Sequence, residues 1–258
     1  MLGKALLGGV IAFALAVLTT PVGVSGAVFL IPVQISILHT PSPSLTPTNL
    51  LYNVLATPGA LWRYSRRAPI RAPLTATLVL GTLPGVVVGA VIRVEVLSGP
   101  TAFYFVIAAV LIPLGAWLAV GRAPTSGRTP PSPRSPRIVA LALLVGVIGG
   151  IYGIGGGSLL APLLVAVGFT IAEVAPAALA STFLTSIVGV AAYAVLSIRH
   201  SGSIAPVWVV GLAMGAGGLL GGYVGSGLQS RLPEPFLRRG LGVLALALGV
   251  RYVVTGLS

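Results

Sequence analysis

Apolar residues run through this chain in long blocks, and the polar residues gather in short intervals between them. Residues 1–20 are apolar apart from Lys4, and Gly23-Val24-Ser25-Gly26 interrupts the run before Ala27–Leu38 resumes it. His39–Pro47 is rich in Pro, Ser and Thr and reads as a turn region, followed by a span from Thr48 to Trp62. Arg63, Arg66, Arg67 and Arg71 form a basic loop, Pro73–Ile92 is the next span, Arg93, Glu95 and Gly99-Pro100 a turn, and Thr101–Val120 another span. Residues 122–137 carry prolines and arginines and no large apolar side chain, as in a flexible linker. From Ile138 the apolar pattern starts again. Runs that approach or exceed the ~20 residues of a membrane crossing, apolar on all sides, predict an all-α polytopic membrane protein. A transmembrane barrel would alternate polar and apolar residues in short strands.

The most distinctive stretch is Gly149-Gly150-Ile151-Tyr152-Gly153-Ile154-Gly155-Gly156-Gly157-Ser158. Its apolar flanks, Ile138–Tyr152 and Ser158–Gly168, are each shorter than ~20 residues. Glycine is a poor helix former. The spacing predicts two half-helices meeting at a break inside the bilayer, where bare backbone persists only if protein buries it or it lines a cavity.

The second half repeats the first. At an offset of 130, Gly23, Gly26 and Pro32 fall on Gly153, Gly156 and Pro162; at 133, Pro73, Gly85, Gly89 and Pro100 fall on Pro206, Gly218, Gly222 and Pro233. This divides the chain into a first membrane repeat, 1–121, a Pro/Arg-rich linker, 122–137, and a second membrane repeat, 138–258. Each repeat holds one glycine-broken helical segment and three transmembrane helices. Residues 1–20 look like a signal peptide, but their counterpart in the second half argues against cleavage. If the broken segments cross the membrane, the halves are parallel; if they are re-entrant hairpins, the halves are inverted. Either topology puts eleven basic residues inside against four outside, so the positive-inside rule does not choose. Both place the arginine clusters and the linker in the cytoplasm. The short, interrupted flanks favour hairpins and inversion.

Composition narrows the function. Charged residues make up 7% of the chain, against about 25% in soluble domains. The net charge of +12 sits mostly in short loops, which explains it without nucleic acid. There is no cysteine, so disulfides, thiolate metal sites and cysteine relays are excluded. His39 and His200 lie far apart, and Glu95, Glu173 and Glu234 form no pair. No enzyme chemistry, metal site or cofactor site follows from these residues.

The candidate chemistry is the binding of an anion by neutral groups. A helix N-terminus presents unpaired N–H groups and a partial positive charge. Two such ends, one after each break, would serve an anion without a cationic side chain. The candidate residues are Gly23, Ser25 and Gly26 in the first break, and Gly153, Gly155, Gly156, Gly157 and Ser158 in the second. The span after each break adds a polar face at i, i+1, i+4 and i+5: Thr48, Asn49, Tyr52 and Asn53, matched by Ser181, Thr182, Thr185 and Ser186. Close packing of glycines and back-bonding of Ser and Thr to their own helices are the alternative reading of these positions.

Gly149-Gly150-x-x-Gly153-x-Gly155-Gly156-Gly157-x-Leu159-x-x-Pro162 resembles the signature of the TauE/SafE family of sulfite exporters, and the pair Ser181-Thr182 resembles that family's second motif. The duplicated layout extends the resemblance over nearly the whole chain. It is weaker in the first half, where Ser25 and Ala27 stand at the positions of Gly155 and Gly157. The resemblance implies a multi-pass permease of the inner, cytoplasmic membrane that exports sulfite or a related small anion. A permease for another organic anion or a neutral solute, and a non-transporting membrane assembly partner, are the alternatives. The lipid bilayer is the expected surrounding, and a homo-oligomer is compatible with the sequence, which does not count subunits.

Overall fold

The structure is a computed structural model that describes residues 2–66, 72–97, 100–120, 130–199, 204–228 and 234–257. Arg67, Arg71 and His200, and the linker as far as residue 129, lie outside the described residues. The described residues are helical and contain no strand. In chain order the helices are α1 (Leu2–Thr19), α2 (Ala27–Val33, prolonged by a π-helical turn over Gln34–Leu38), α3 (Ser42–Ser65), α4 (Ala72–Glu95), α5 (Pro100–Val120), α6 (Pro136–Tyr152), α7 (Gly157–Ala166), α8 (Ile171–Arg199), α9 (Trp208–Leu228) and α10 (Glu234–Leu257).

Among the described residues, four helices are long and apolar enough to cross a membrane: Leu2–Val22, Pro73–Glu95, Ile171–Ile198 and Trp208–Leu228. Their patterning is that of lipid-embedded helices. On α1 the small residues Ala5, Gly8, Ala12 and Ala16 are buried, while Leu2, Leu6, Val10 and Phe13 face outward. α3 is just as long, but it owes its lower hydropathy to Thr46, Thr48, Asn49, Asn53 and Thr57, all buried. α3 starts at Ser42, inside the stretch expected to be a turn. Pro43 falls in the first turn, where a missing N–H removes no helical bond.

Glycine contacts give the directions of the helices. The carbonyls of Gly9, Phe13 and Val17 on α1 lie against Gly217, Gly221 and Gly225 on α9, so these helices run parallel. The carbonyls of Val139, Leu143 and Val147 on α6 lie in the same way against Gly81, Gly85 and Gly89 on α4. α9 is also parallel to α3, with Gly211 against Leu51, Gly215 against Leu55 and Gly227 against Arg63. α4 is parallel to α8, through Thr82 with Ser181 and Val86 with Gly189. α3 and α4 are antiparallel: the Arg93 guanidinium at the end of α4 donates to the Ser42 carbonyl at the start of α3, at 2.9 Å. α5 and α10 are antiparallel, with Phe105 against Gly256 and Ala119 against Gly242. Thus α1, α3 and α9 point one way, and α4, α6 and α8 the other. Between α1 and α3 the chain comes back along α2, and Lys4 Nζ at the start of α1 donates to Leu38 O at the end of the π turn, at 3.3 Å.

Candidate functional site

Each break begins with a left-handed glycine. Gly23 has φ +77° and Gly153 φ +76°, a region that side chains other than glycine enter at a cost. The same hydrogen bond closes both helix ends: Val24 N donates to Thr19 O and Ile154 N to Gly149 O, each at 3.2 Å. At α6 this is a Schellman closure, the amide after the left-handed residue reaching back five residues. A tyrosine hydroxyl then holds a carbonyl beside each break. Tyr64 donates to Thr20 O at 3.2 Å and Tyr193 to Gly150 O at 3.0 Å. Neither tyrosine was singled out by the sequence, because each sits near a helix end well beyond the polar face.

One side chain touches both breaks. Asn53, in the middle of α3, accepts from Ser25 Oγ at 2.6 Å and donates to Gly153 O at 3.4 Å. Asn49 donates to Ala27 O at 3.0 Å and accepts from Gln34 Nε2 at 3.3 Å, tying α3 to α2. All the expected site residues are therefore buried in one region, but their hydroxyls and amides are engaged to different degrees.

At the first break Ser25 and Asn53 pair with one another, while Thr19 Oγ1 and Gln34 Oε1 are buried without a hydrogen-bond partner. Ser25 Oγ accepts from Ala27 N at 3.2 Å and so caps α2, and the Tyr52 hydroxyl lies against Gly26. At the second break the position of Ser25 is held by Gly155, with φ +66°, which has no side chain to cap Gly157 in the same way. A Cβ at Gly155 would come to 2.8 Å from Thr182 Cγ2 and 2.9 Å from Ser186 Oγ; one at Gly157 would come to 2.6 Å from Thr182 Oγ1. The glycines let the backbone approach these two hydroxyls.

The remaining hydroxyls of the second break are occupied. Ser158 donates to Ile154 O at 3.0 Å. Thr185 donates to Ser181 O at 2.6 Å and accepts from Gly156 N at 3.1 Å. Ser181 pairs at 3.0 Å with Thr82, which also donates to Leu78 O at 2.7 Å. Thr82 is the residue of this site that the sequence reading missed. On α4 it is one of three threonines, and its contacts with Gly156 and Ser181 bring it to the break. Thr182 Oγ1 and Ser186 Oγ are likewise fully buried, and neither has a hydrogen-bond partner in the protein. Leaving a buried hydroxyl unsatisfied costs about 1–3 kcal/mol, and these two lie one helical turn apart with Gly155 against both side chains.

The surroundings are neutral. Arg93 lies three turns along α4 from Thr82, about 16 Å at 1.5 Å per residue, and Glu173 about 13 Å along α8 from Thr182. No group of three or more His, Cys, Asp or Glu able to hold a metal occurs among the described residues. The site can donate hydrogen bonds from hydroxyls and from the start of α7.

Comparison with known proteins gives the class. The family model for Sulfite exporter TauE/SafE matches residues 8–252. The chain is 28% identical over 120 residues to a protein of Bacillus subtilis (strain 168) described as "Probable membrane transporter protein YunE". That match spans 46% of this chain and 41% of the relative. No solved structure matches. The helices, the two glycine breaks and the family match over nearly the whole length agree: the chain belongs to the TauE/SafE family of membrane transporters, and it is not an enzyme.

Proposed function

We propose that the chain exports a small sulfur-containing anion such as sulfite across the cytoplasmic membrane, and that the anion binds at the second glycine break. The observation that carries this reading is the pair of buried, unpartnered hydroxyls of Thr182 and Ser186 facing Gly155 and Gly157. An oxyanion is an acceptor and would satisfy both. The start of α7 supplies amide dipoles on the same side. Gly153, Gly156, Ser158, Ser181, Thr185 and Thr82 shape the wall; Gly23, Ser25, Gly26, Asn49 and Asn53 hold the first break against it.

The proposed architecture is a pair of inverted repeats, 1–121 and 138–258, joined by the cytoplasmic linker 122–137. The helix directions support it: α1 and α3 oppose their counterparts α6 and α8, and α5 opposes α10. That α1 and α3 run the same way, as do α6 and α8, supports reading α1 with α2 and α6 with α7 as re-entrant hairpins rather than broken crossings. For α4 and α9 the facing carbonyls favour an offset of 136 over 133. Gly85 lies against the Leu143 carbonyl, and its counterpart by contact is Gly221 against the Phe13 carbonyl; Gly218 instead faces Tyr52 and Ala56.

The test is flux from proteoliposomes loaded with sulfite, with sulfate, thiosulfate and sulfoacetate as competitors. Sulfite efflux that is lost in Thr182→Val and Ser186→Ala is the expected result. Sulfite movement equal to that of empty liposomes would overturn the substrate, and unchanged flux in both variants would overturn the site.

A further inference from the structure

On the side of the first break, where Tyr64 meets Thr20 O, the C-terminal ends of α3 and α9 meet in a ladder of alternating cationic and aromatic side chains. The Arg66 guanidinium lies 4.7 Å from the centroid of the Trp62 ring, the Trp62 and Tyr223 rings are 6.0 Å apart, and the Arg63 guanidinium lies 4.7 Å from the Tyr223 centroid. Arg63 also donates to the Tyr223 carbonyl at 3.1 Å, and Gly227 leaves the space it occupies. Trp62 is 58% and Tyr223 41% exposed. Neither α3 nor α9 contains an acidic residue. The two guanidiniums therefore present donors and positive charge that no carboxylate of their own helices neutralises.

Below the ladder, α9 turns an apolar face outward. Leu212, Leu220, Tyr223 and Val224 are exposed at helical spacing. From Leu212 to Tyr223 this stripe is about 16 Å long at 1.5 Å per residue, close to half of the ~30 Å hydrocarbon core. The stripe has the length of one leaflet, and the arginines stand at its end.

We propose that the ends of α3 and α9 form a binding site for an anionic phospholipid, its acyl chains along Leu212–Val224 and its phosphate on Arg63 and Arg66. Trp62 and Tyr223 hold the headgroup level, as aromatic residues do at membrane interfaces, and stack the guanidiniums in place. A free phosphate would use the arginines but would leave the stripe unused, so the lipid is the occupant that accounts for both features. The site sits on the same helix as Asn49 and Asn53, so lipid occupancy bears on how firmly α3 is held.

Native mass spectrometry of the protein released from nanodiscs containing equal phosphatidylglycerol and phosphatidylcholine tests this. The wild type should retain phosphatidylglycerol preferentially. Each arginine near a headgroup is worth about five-fold in binding, so Arg66→Ala should lower the preference about five-fold and Arg63→Ala/Arg66→Ala should abolish it. Arg66 is exposed, which keeps the single variant informative if the double variant, lacking the Arg63 bond to α9, fails to fold. Equal retention of both lipids by the wild type would overturn the proposal, as would a preference untouched by Arg66→Ala. Displacement of the retained lipid by millimolar inorganic phosphate would show a simple anion site and overturn it as well.

Discussion

The Tyr52 ring stands in the space that Gly218 leaves on α9: a Cβ on Gly218 would come 2.9 Å from Tyr52 Cζ, and closer still to the ring edge. Its hydroxyl thereby reaches Gly26, where a Cβ would meet it at 2.6 Å. At the second break the matching ground is shared by Thr82 and Thr185, two small hydroxyl side chains beside Gly156. One break is thus filled by an aromatic ring and the other is lined by hydroxyls. Tyr52 and Gly218 should behave as one unit. Gly218→Val forces a methyl-bearing carbon into the ring and should cost about 1–3 kcal/mol of stability. Tyr52→Ala should cost about 3–5 kcal/mol through the cavity it leaves. The double variant should be more stable than the sum of the two, with a coupling of about 1–3 kcal/mol in a double-mutant cycle. Strict additivity would mean that the ring moves aside freely.

Thr182 and Ser186 separate stability from transport. In most buried positions removing a hydroxyl costs stability, because its partner is left unpaired. Here the hydroxyls have no partner to strand. Thr182→Val and Ser186→Ala should therefore leave the melting temperature unchanged or raise it, while lowering anion flux about tenfold or more, as expected for a lost hydrogen bond to a charged ligand. A fall in stability that parallels the fall in flux would point to a structural role.

Gly155 cannot be replaced cheaply. Its φ of +66° disfavours any L side chain by about 1–2 kcal/mol, and an added Cβ would press on Thr182 and Ser186. Gly155→Ala should reduce flux strongly with folded protein still present in the membrane. Ser25 is its counterpart in the first break, and its backbone is not left-handed. Ser25→Gly should cost about 1 kcal/mol through the lost cap and the lost bond to Asn53, with a smaller effect on flux. Measuring membrane-inserted protein and uptake side by side distinguishes the two. A larger flux defect in Ser25→Gly would shift the site to the first break.

Much of this site was legible because its signals are local. A left-handed turn needs a glycine, so Gly23 and Gly153 marked the breaks directly. A polar face at i, i+1, i+4 and i+5 marked Asn49, Asn53, Thr182 and Ser186. What was not legible depends on contacts between distant segments. Thr82 belongs to the site only because α4 packs parallel to α8. The asymmetry between the breaks arises from a large residue on α3 and a missing side chain on α9, 166 positions apart in the numbering of Tyr52 and Gly218. The offset of the proposed repeat is open for a similar reason: α9 has glycines at 217, 218, 221, 222 and 225, so 133 and 136 both fit the sequence, and the facing carbonyls favour 136.

The driving force is the last expectation. Coupling to protons usually requires a titratable group that changes charge inside the membrane. Around the second break the side chains are hydroxyls, an amide and glycines. Glu173 is in the first turn of α8, Glu95 closes α4, and His39 is exposed at a turn. An anion leaving a negative-inside cell gains about 2.3 kcal/mol per charge per 100 mV. At ~1.4 kcal/mol per tenfold, that is roughly a forty-fold accumulation ratio per charge. Export therefore needs no coupled ion, only a path on which hydroxyls and helix-end dipoles replace the anion's hydration shell. Efflux from proteoliposomes should rise with a potential clamped negative inside by potassium and valinomycin, and should carry net current. Imposing a pH gradient at zero potential should change it little. Efflux that follows the pH gradient and ignores the clamp would require a proton carrier, and His39→Gln would then be the first variant to measure.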